Sequence, residues 1–272
     1  MRHRIARDDA PVVLITFPDF DTEHPEIGGA FTAAGYSMRL APKHGPRSPA
    51  QLLELCSDAS GAIVSTDPFT ADVLRRSPSL QVVARSGVGL DTVDVTAATE
   101  LGIAVVTTPG ANETTVADHT LALMLALLRR ITENDAGVRR GEWKRTGAHA
   151  PRLLTGCTVG LVGYGNIGRR VAHRLAGFDV ELLVADPLAP ASGALQVVEL
   201  AELLERADVV SLHTPLLPST RHLIDDEALH RMQPHAVLVN TSRGEVVDEG
   251  ALFRALKDGV IAGTQSWFVR HA

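Results

Sequence analysis

The sequence predicts an α/β protein with two doubly wound parallel-sheet units. Three observations carry that expectation. Short runs rich in Val, Leu, Ile and Ala alternate with helical patterns along the whole chain, which is the order of strand–helix–strand units. Several of these runs lack polar alternation, as strands covered on both faces do. A single break, Thr-Thr-Pro-Gly-Ala at residues 107–111, interrupts the alternation and marks a boundary.

Taken in order, strands are expected at residues 12–17, 62–64, 80–84 and 103–106 before the break. After it they are expected at 158–162, 181–185, 209–212 and 236–240. Helical patterns lie between them, among others at 70–76, 93–100, 167–175 and 249–258. The domains are therefore expected to be 1–107 and 108–272, each of Rossmann or flavodoxin type. A long helix should follow the break, with Thr115 as N-cap and Asp118 three residues on. Its body at 120–128 is apolar on nearly all sides, so it should be buried on more than one face, between domains or subunits. Residues 139–151 read as a loop, and Asp248 and Glu249 as the N-cap and first turn of the next helix.

Composition narrows the partners. The chain has 272 residues, 45% hydrophobic and 21% charged, with a formal net charge of −6. That charge argues against nucleic acid or an anionic membrane, and the 4% aromatic content leaves few stacking platforms for single strands. The two cysteines, Cys56 and Cys157, form no disulfide framework and suit a reducing cytoplasm. The longest apolar stretch, 121–128, is far below the roughly 18–20 residues of a membrane span, so a soluble protein is expected. No metal site is read from the sequence.

One motif points to a cofactor. The strand at 158–162 runs into Gly163-Tyr-Gly165-Asn166-Ile167-Gly168 and then a helix. Gly163 permits a tight turn, Gly165 lets a pyrophosphate approach the backbone, and Gly168 lets the helix pack on the strand. The amides of Asn166 and Ile167 open the helix and would face phosphates along its dipole. A second strand then ends in Asp186, an acid that can accept both ribose hydroxyls and would repel a 2′-phosphate. With no arginine in the residues that follow, the preference is NAD over NADP.

Five further motifs occur in order: RSGVGLDTVD at 85–94, TPGAN at 108–112, VADHTLA at 116–122, HTPLLPST at 213–220 and NTSRGEVVD at 240–248. With the glycine turn, they resemble the D-isomer-specific 2-hydroxyacid dehydrogenases, most closely the phosphoglycerate dehydrogenase branch, over residues 12–263. The resemblance implies hydride transfer between NAD and a small 2-hydroxy or 2-oxo acid. It also implies that Ser86, Gly87, Val88 and Gly89 form a loop whose amides hold the substrate carboxylate, with Val88 near the nicotinamide and Arg85 supporting the loop or meeting a phosphate. His213, Thr214, Pro215 and Thr220 are similar to the loop that passes beside the cofactor. Thr241 and Ser242 match residues under the nicotinamide ribose. Arg243 matches the arginine that grips carboxylate and carbonyl, where a fixed cation offsets the charge left by hydride arrival. His119 reads as an ordinary helix-end histidine. A homodimer through the helix around 115–130 is implied as well.

The resemblance breaks after Gly263. There the family continues into Asp-Val-Phe and a catalytic glutamate, then a catalytic histidine. Here the chain reads TQSWFVRHA, with Trp267 where an acid near the nicotinamide amide is expected and His271 out of register. The reading at this point is a truncated or frameshifted second domain that lacks its last strands and is impaired in turnover. Its alternative is a catalytically inactive NAD-binding or interaction module. The substrate stays open between phosphoglycerate and an unphosphorylated acid of glycerate or glycolate type. Phosphoglycerate-type relatives place a basic residue after the strand at 62–64, whereas this chain has Asp67.

Overall fold

The computed structural model describes residues 10–21, 24–142, 146, 150–190 and 195–266. The chain divides into two compact units, Met1–Ala111 and Asn112–Ala272.

The first unit alternates β1 (Val12–Ile15), α1 (Pro25–Ala33), β2 (Ser37–Leu40), α2 (Pro49–Cys56), β3 (Ala59–Val64), α3 (Ala71–Arg75), β4 (Val82–Arg85), α4 (Val95–Glu100) and β5 (Ala104–Val106). All its pairings are parallel, in the order β2-β1-β3-β4-β5, which is the flavodoxin-like doubly wound order. Its core sets Leu14, Ala62, Val64 and Val83 against Leu52, Val73, Leu74, Ala97 and Ala98 from the helices. Helix starts are fixed locally. Ser48 and Gln51 form a capping box on α2, and Thr70 and Asp94 accept the amides of Val73 and Ala97. Such caps satisfy donors that a helix start otherwise leaves unpaired. Thr108 stays with this unit: its amide donates to Gly87 O (3.1 Å) and its Oγ1 accepts the Gly87 amide (2.9 Å).

The second unit contains α5 (Glu113–Leu128), α6 (Ile131–Arg139), β6 (Thr158–Val162), α7 (Asn166–Leu175), β7 (Glu181–Ala185), β8 (Gln196–Val197), α8 (Leu200–Arg206), β9 (Val209–Leu212), α9 (Asp226–Arg231), β10 (Val237–Asn240), α10 (Glu249–Lys257) and β11 (Gly263–Ser266). Its sheet runs β11-β10-β9-β6-β7-β8, again all parallel. Counted within the unit this is the 3-2-1-4-5-6 order of a dinucleotide-binding sheet. The strands β9 and β10 are buried at every position, as strands with helices on both faces must be. Gly160 is demanded by packing, since a Cβ there would lie 2.4 Å from Leu203 Cδ2.

Several expectations change. One strand lies where the family pattern breaks: β11 pairs with β10 from Val237↔Gly263 to Asn240↔Ser266. Its polar, half-buried run GTQS carries almost none of the apolar signal that marks inner strands. The edge strands β2 and β8 escape sequence reading for the same reason. Thr115 is not the N-cap of α5, which starts at Glu113 behind Asn112 without a side-chain cap. Within the single chain, α5 is buried along one stripe. Ala117, Thr120, Met124 and Leu128 form the buried stripe, while Leu121, Leu123, Leu125 and Leu127 are only partly buried. The expected loop at 139–151 lies partly outside the described residues, and its start belongs to α6. Trp267 and His271 lie outside them altogether. Asp248 does cap α10, accepting the Ala251 amide at 3.0 Å; that bond holds its carboxyl below its ordinary pKa.

Candidate functional site

In the second unit the strand order reverses between β7 and β9 on either side of β6, and a sheet of this type opens its crevice at the carboxyl ends of such strands. Gly163 ends β6 and His213 ends β9, and the two touch. Gly163 has φ +99, and a Cβ there would sit 2.6 Å from His213 O, so both conformation and space require glycine. At Gly168 a Cβ would fall 2.3 Å from Gly163 O, so the start of α7 packs directly on the turn. At Gly165 a Cβ would meet nothing within 4 Å. That contrast is what a phosphate cradle needs: two glycines close the turn, and the third leaves open space in front of the Asn166 and Ile167 amides.

Asp186 closes the turn from the β7 side. Its Oδ2 accepts the Tyr164 amide at 2.6 Å and its Oδ1 the Leu188 amide at 2.7 Å. A carboxylate has about four acceptor sites, so these bonds fix its orientation and leave acceptor capacity for hydroxyls. The loop after β9 brings two buried polar atoms to the same turn. His213 Nδ1 and Thr214 Oγ1 have no hydrogen-bond partner among the described residues, while His213 Nε2 lies 3.0 Å from Ser211 Oγ. Burial pushes the His213 imidazole down to about 4, so it is neutral at pH 7. Buried polar atoms without partners are costly, and here they mark where a polar ligand fits. Thr220 serves the loop itself, its hydroxyl donating to Pro215 O (2.6 Å) and accepting the Leu217 amide (2.8 Å).

After β10, Asn240 organises the loop that carries Arg243. Its Nδ2 donates to Arg243 O at 2.8 Å, and its Oδ1 accepts both the amide (3.0 Å) and the hydroxyl (2.8 Å) of Ser242. Arg243 Nη1 in turn donates to Ser242 O at 2.8 Å. The Thr241 hydroxyl shares a buried 2.9 Å bond with Thr120 of α5. A further acid enters from α5: Glu113, 4% exposed, accepts from Asn166 Nδ2 at 2.7 Å and pairs with Arg170 Nε at 3.3 Å. Sequence reasoning missed Glu113, Asn240 and Thr120. Asn240 lay inside a quoted motif, but Glu113 gave no signal beyond an acid in a first helical turn.

In the first unit the loop after β4 is tightly committed. The Ser86 amide donates to Val64 O (2.8 Å), and the Gly87 amide donates to Thr108 Oγ1 (2.9 Å). Of the four amides expected to hold a carboxylate, those of Val88 and Gly89 therefore carry no hydrogen bond among the described residues. Gly87 has φ +146, and a Cβ there would meet Arg85 Nη1 at 3.0 Å. Arg85 Nε donates to Ser65 O at 3.1 Å. Asp67 is not exposed to a substrate. It forms a buried pair with Arg47, whose Nη1 and backbone amide reach its carboxylate at 2.8 and 3.0 Å and whose Nη2 bonds Ala41 O. The two side chains are 6% and 3% exposed. Among the described residues no group of three or more His, Cys, Asp or Glu is arranged to hold a metal, and no helix is long and apolar enough to cross a membrane.

Residues 121–266, more than half of the chain, match the family model described as "D-isomer specific 2-hydroxyacid dehydrogenase, NAD binding domain". The chain belongs to this family. It is 42% identical over 252 residues to a glyoxylate reductase of Korarchaeum cryptofilum, covering 89% of this chain and 75% of that one. It is 42% identical over 217 residues to a D-3-phosphoglycerate dehydrogenase of Methanocaldococcus jannaschii, covering 78% of this chain but only 41% of the relative. Among solved structures it resembles an NAD-dependent formate dehydrogenase from Staphylococcus aureus in complex with NAD. There the TM-score is 0.83 at 30% identity, over 94% of this chain and 80% of that one. NAD is the cofactor of the family's matched domain, and the open glycine cradle, Asp186 and the two unpartnered buried atoms fit it.

Proposed function

We propose that the chain is an NADH-dependent reductase of a small unphosphorylated 2-oxo acid, of the glyoxylate or hydroxypyruvate class, and oxidises the matching D-2-hydroxy acid in reverse. The observation that carries the substrate class is the buried Arg47–Asp67 pair. At the strand end where a phosphate-binding cation would be looked for, the acid and its arginine neutralise each other. Arg85 is tied to Ser65 O and packed under Gly87. A compact carboxylate asks for less, and the Val88 and Gly89 amides suffice to hold one. The names of the relatives fit both classes, a glyoxylate reductase and a hydroxypyruvate reductase on one side and phosphoglycerate dehydrogenases on the other.

The chemistry asked of the second unit follows from its geometry. NAD, when bound, supplies or accepts the hydride. Gly163, Gly165 and Gly168 shape the turn, the Asn166 and Ile167 amides face the phosphates, and Asp186 takes the ribose hydroxyls. His213, Thr214, Pro215, Thr241 and Ser242 flank the same crevice. Arg243 is the catalytic residue. As a hydride reaches the carbonyl carbon, the C=O electron pair moves to oxygen, the guanidinium stabilises that charge, and a water molecule gives the oxygen the proton that completes the hydroxyl. Asn240, by holding the backbone on both sides of Ser242, fixes where Arg243 starts.

The same reading places 1–107 as the substrate-binding domain and 108–272 as the NAD-binding domain. It makes the assembly a homodimer through α5, whose Leu121, Leu125 and Leu127 are left partly buried. The free, buried Cys56 and Cys157 suit the reducing cytoplasm.

Fluorescence titration with NADH, followed by assays at 340 nm with glyoxylate, hydroxypyruvate and phosphohydroxypyruvate, tests this reading. Expected are NADH binding, turnover of the first two acids, and a loss of about 10²–10³ in kcat for Arg243→Ala with NADH affinity kept. Preferred turnover of phosphohydroxypyruvate would overturn the substrate class. Binding without turnover would make the chain a dinucleotide-binding module.

A further inference from the structure

Three arginines line α7, and they are not equivalent. Arg170 pairs with Glu113 and Arg174 with Asp118. Arg169 is exposed, and among the described residues no carboxylate pairs with it. Instead it folds back onto the glycine turn: its Nε donates to Tyr164 O at 3.0 Å, and its guanidinium carbon lies 5.9 Å from the centre of the Tyr164 ring. The same residue, Tyr164, gives its amide to Asp186 at 2.6 Å. Carboxylate and guanidinium thus hold the two ends of one residue, which limits their separation to about 9 Å at most.

We propose that Arg169 is a latent partner for a 2′-phosphate at the dinucleotide site, silent as long as Asp186 stands at the end of β7. The inference rests on the reading that the turn binds NAD. An acid at the ribose repels a 2′-phosphate and rewards two free hydroxyls. Specificity of this kind is a difference between two affinities, and a repulsive group can set it alone. Sequence reasoning looks for the phosphate's cation just after Asp186, where Pro187, Leu188 and Ala189 supply none. The structure brings one from the other side, through the first turn of α7. A guanidinium in that position can grip a phosphate through two parallel bonds. Because its Nε is anchored on Tyr164 O, it is held beside the turn rather than dispersed in solvent.

The test is a cycle of four proteins: wild type, Asp186→Ser, Arg169→Gln and the double variant. NADH and NADPH dissociation constants are measured by nucleotide fluorescence, and a thermal melt confirms that each protein is folded. Asp186→Asn, which keeps an oxygen for the Tyr164 amide, repeats the test where the serine variant does not fold. Wild type is expected to favour NADH. The Asp186 variant should move the NADPH-to-NADH affinity ratio toward NADPH by about tenfold or more, and the double variant should lose most of that gain. Arg169→Gln alone should leave NADH affinity within about twofold. An unmoved ratio in the Asp186 variant, or a gain that survives in the double variant, overturns the inference while NADH binding by wild type still stands. Wild type that binds neither dinucleotide overturns the NAD reading and this inference with it.

Discussion

Gly165→Ala and Gly168→Ala add the same methyl group three residues apart, and the structure sends their consequences in opposite directions. At Gly168 the new Cβ would lie 2.3 Å from Gly163 O, whereas a carbon–oxygen contact settles at about 3.3–3.6 Å. The methyl must retreat by roughly 1 Å against backbone, because Gly163 is itself fixed against His213 O. Overpacking of that kind costs about 1–3 kcal/mol, which for a chain of this size lowers Tm by roughly 2–12 °C. At Gly165 the methyl meets nothing within 4 Å, and its backbone at φ −72, ψ −159 is ordinary for any residue. An alanine in place of an N-cap glycine costs about 0.5 kcal/mol, so Tm should move by only about 1–2 °C. The methyl does occupy the space through which a pyrophosphate reaches the α7 amides, so the NADH dissociation constant should rise at least about tenfold. Thermal melts of the free proteins and NADH fluorescence titrations measure both quantities. A Gly168→Ala protein with wild-type Tm would refute the packing argument. A Gly165→Ala protein that binds NADH as tightly as wild type would refute the location of the cradle.

Two more outcomes follow from buried ionisable groups. His213 is held at about 4 against 6.5 when exposed, so the unfolded chain binds the extra proton and stability is lost as pH falls through that window; on going from pH 7 to pH 5 the loss is about 2 kcal/mol from this residue. Urea unfolding at the two pH values, with and without His213→Asn, should show that difference shrink, and an equal pH dependence in both proteins would contradict it. Removing one member of the buried Arg47–Asp67 pair strands the other charge, so Asp67→Asn should destabilise the first unit by about 3 kcal/mol or more. The apolar double change Arg47→Met with Asp67→Leu should recover part of that loss in chemical denaturation, and no recovery would assign the cost to packing instead.

The fold was legible because its inner strands are apolar on both faces and its boundaries are punctuated. Val209–Leu212 and Val237–Asn240 could hardly be anything but buried parallel strands. What escaped is what polarity hides. Ser37–Leu40, Gln196–Val197 and Gly263–Ser266 sit at sheet edges, where one side faces solvent and the apolar signal fades. In the site, residues that act through local backbone geometry were readable: Gly163, Gly168 and Asp186 all lie where a turn and a strand end dictate their type. The partners that hold them were not. Glu113 and Asn166, Thr108 and Gly87, and Thr120 and Thr241 are brought together only by folding, and no spacing rule links residues that far apart. Thr220 lies in a motif that suggested the cofactor, and folding adds what the motif did not show, a hydroxyl that also closes its own loop.

Both units hold a buried acid paired with an arginine. In the first, Arg47 and Asp67 cancel within the protein interior. In the second, Glu113 is bonded to the side chain of Asn166, at the start of α7, and paired with Arg170. A bare carboxylate there would oppose the helix dipole that favours a phosphate. Arg170 is therefore expected to affect dinucleotide binding through its pair with Glu113. Arg170→Met should weaken NADH binding by about tenfold, since it removes a cation that offsets the Glu113 carboxylate at the start of α7. The loss should shrink in 0.5 M salt. Adding Glu113→Gln, which keeps an acceptor for Asn166 but removes the charge, should restore most of the affinity. Restoration without any salt dependence would show that Glu113 acts by positioning Asn166 alone. Failure to restore would show that Arg170 meets the dinucleotide directly.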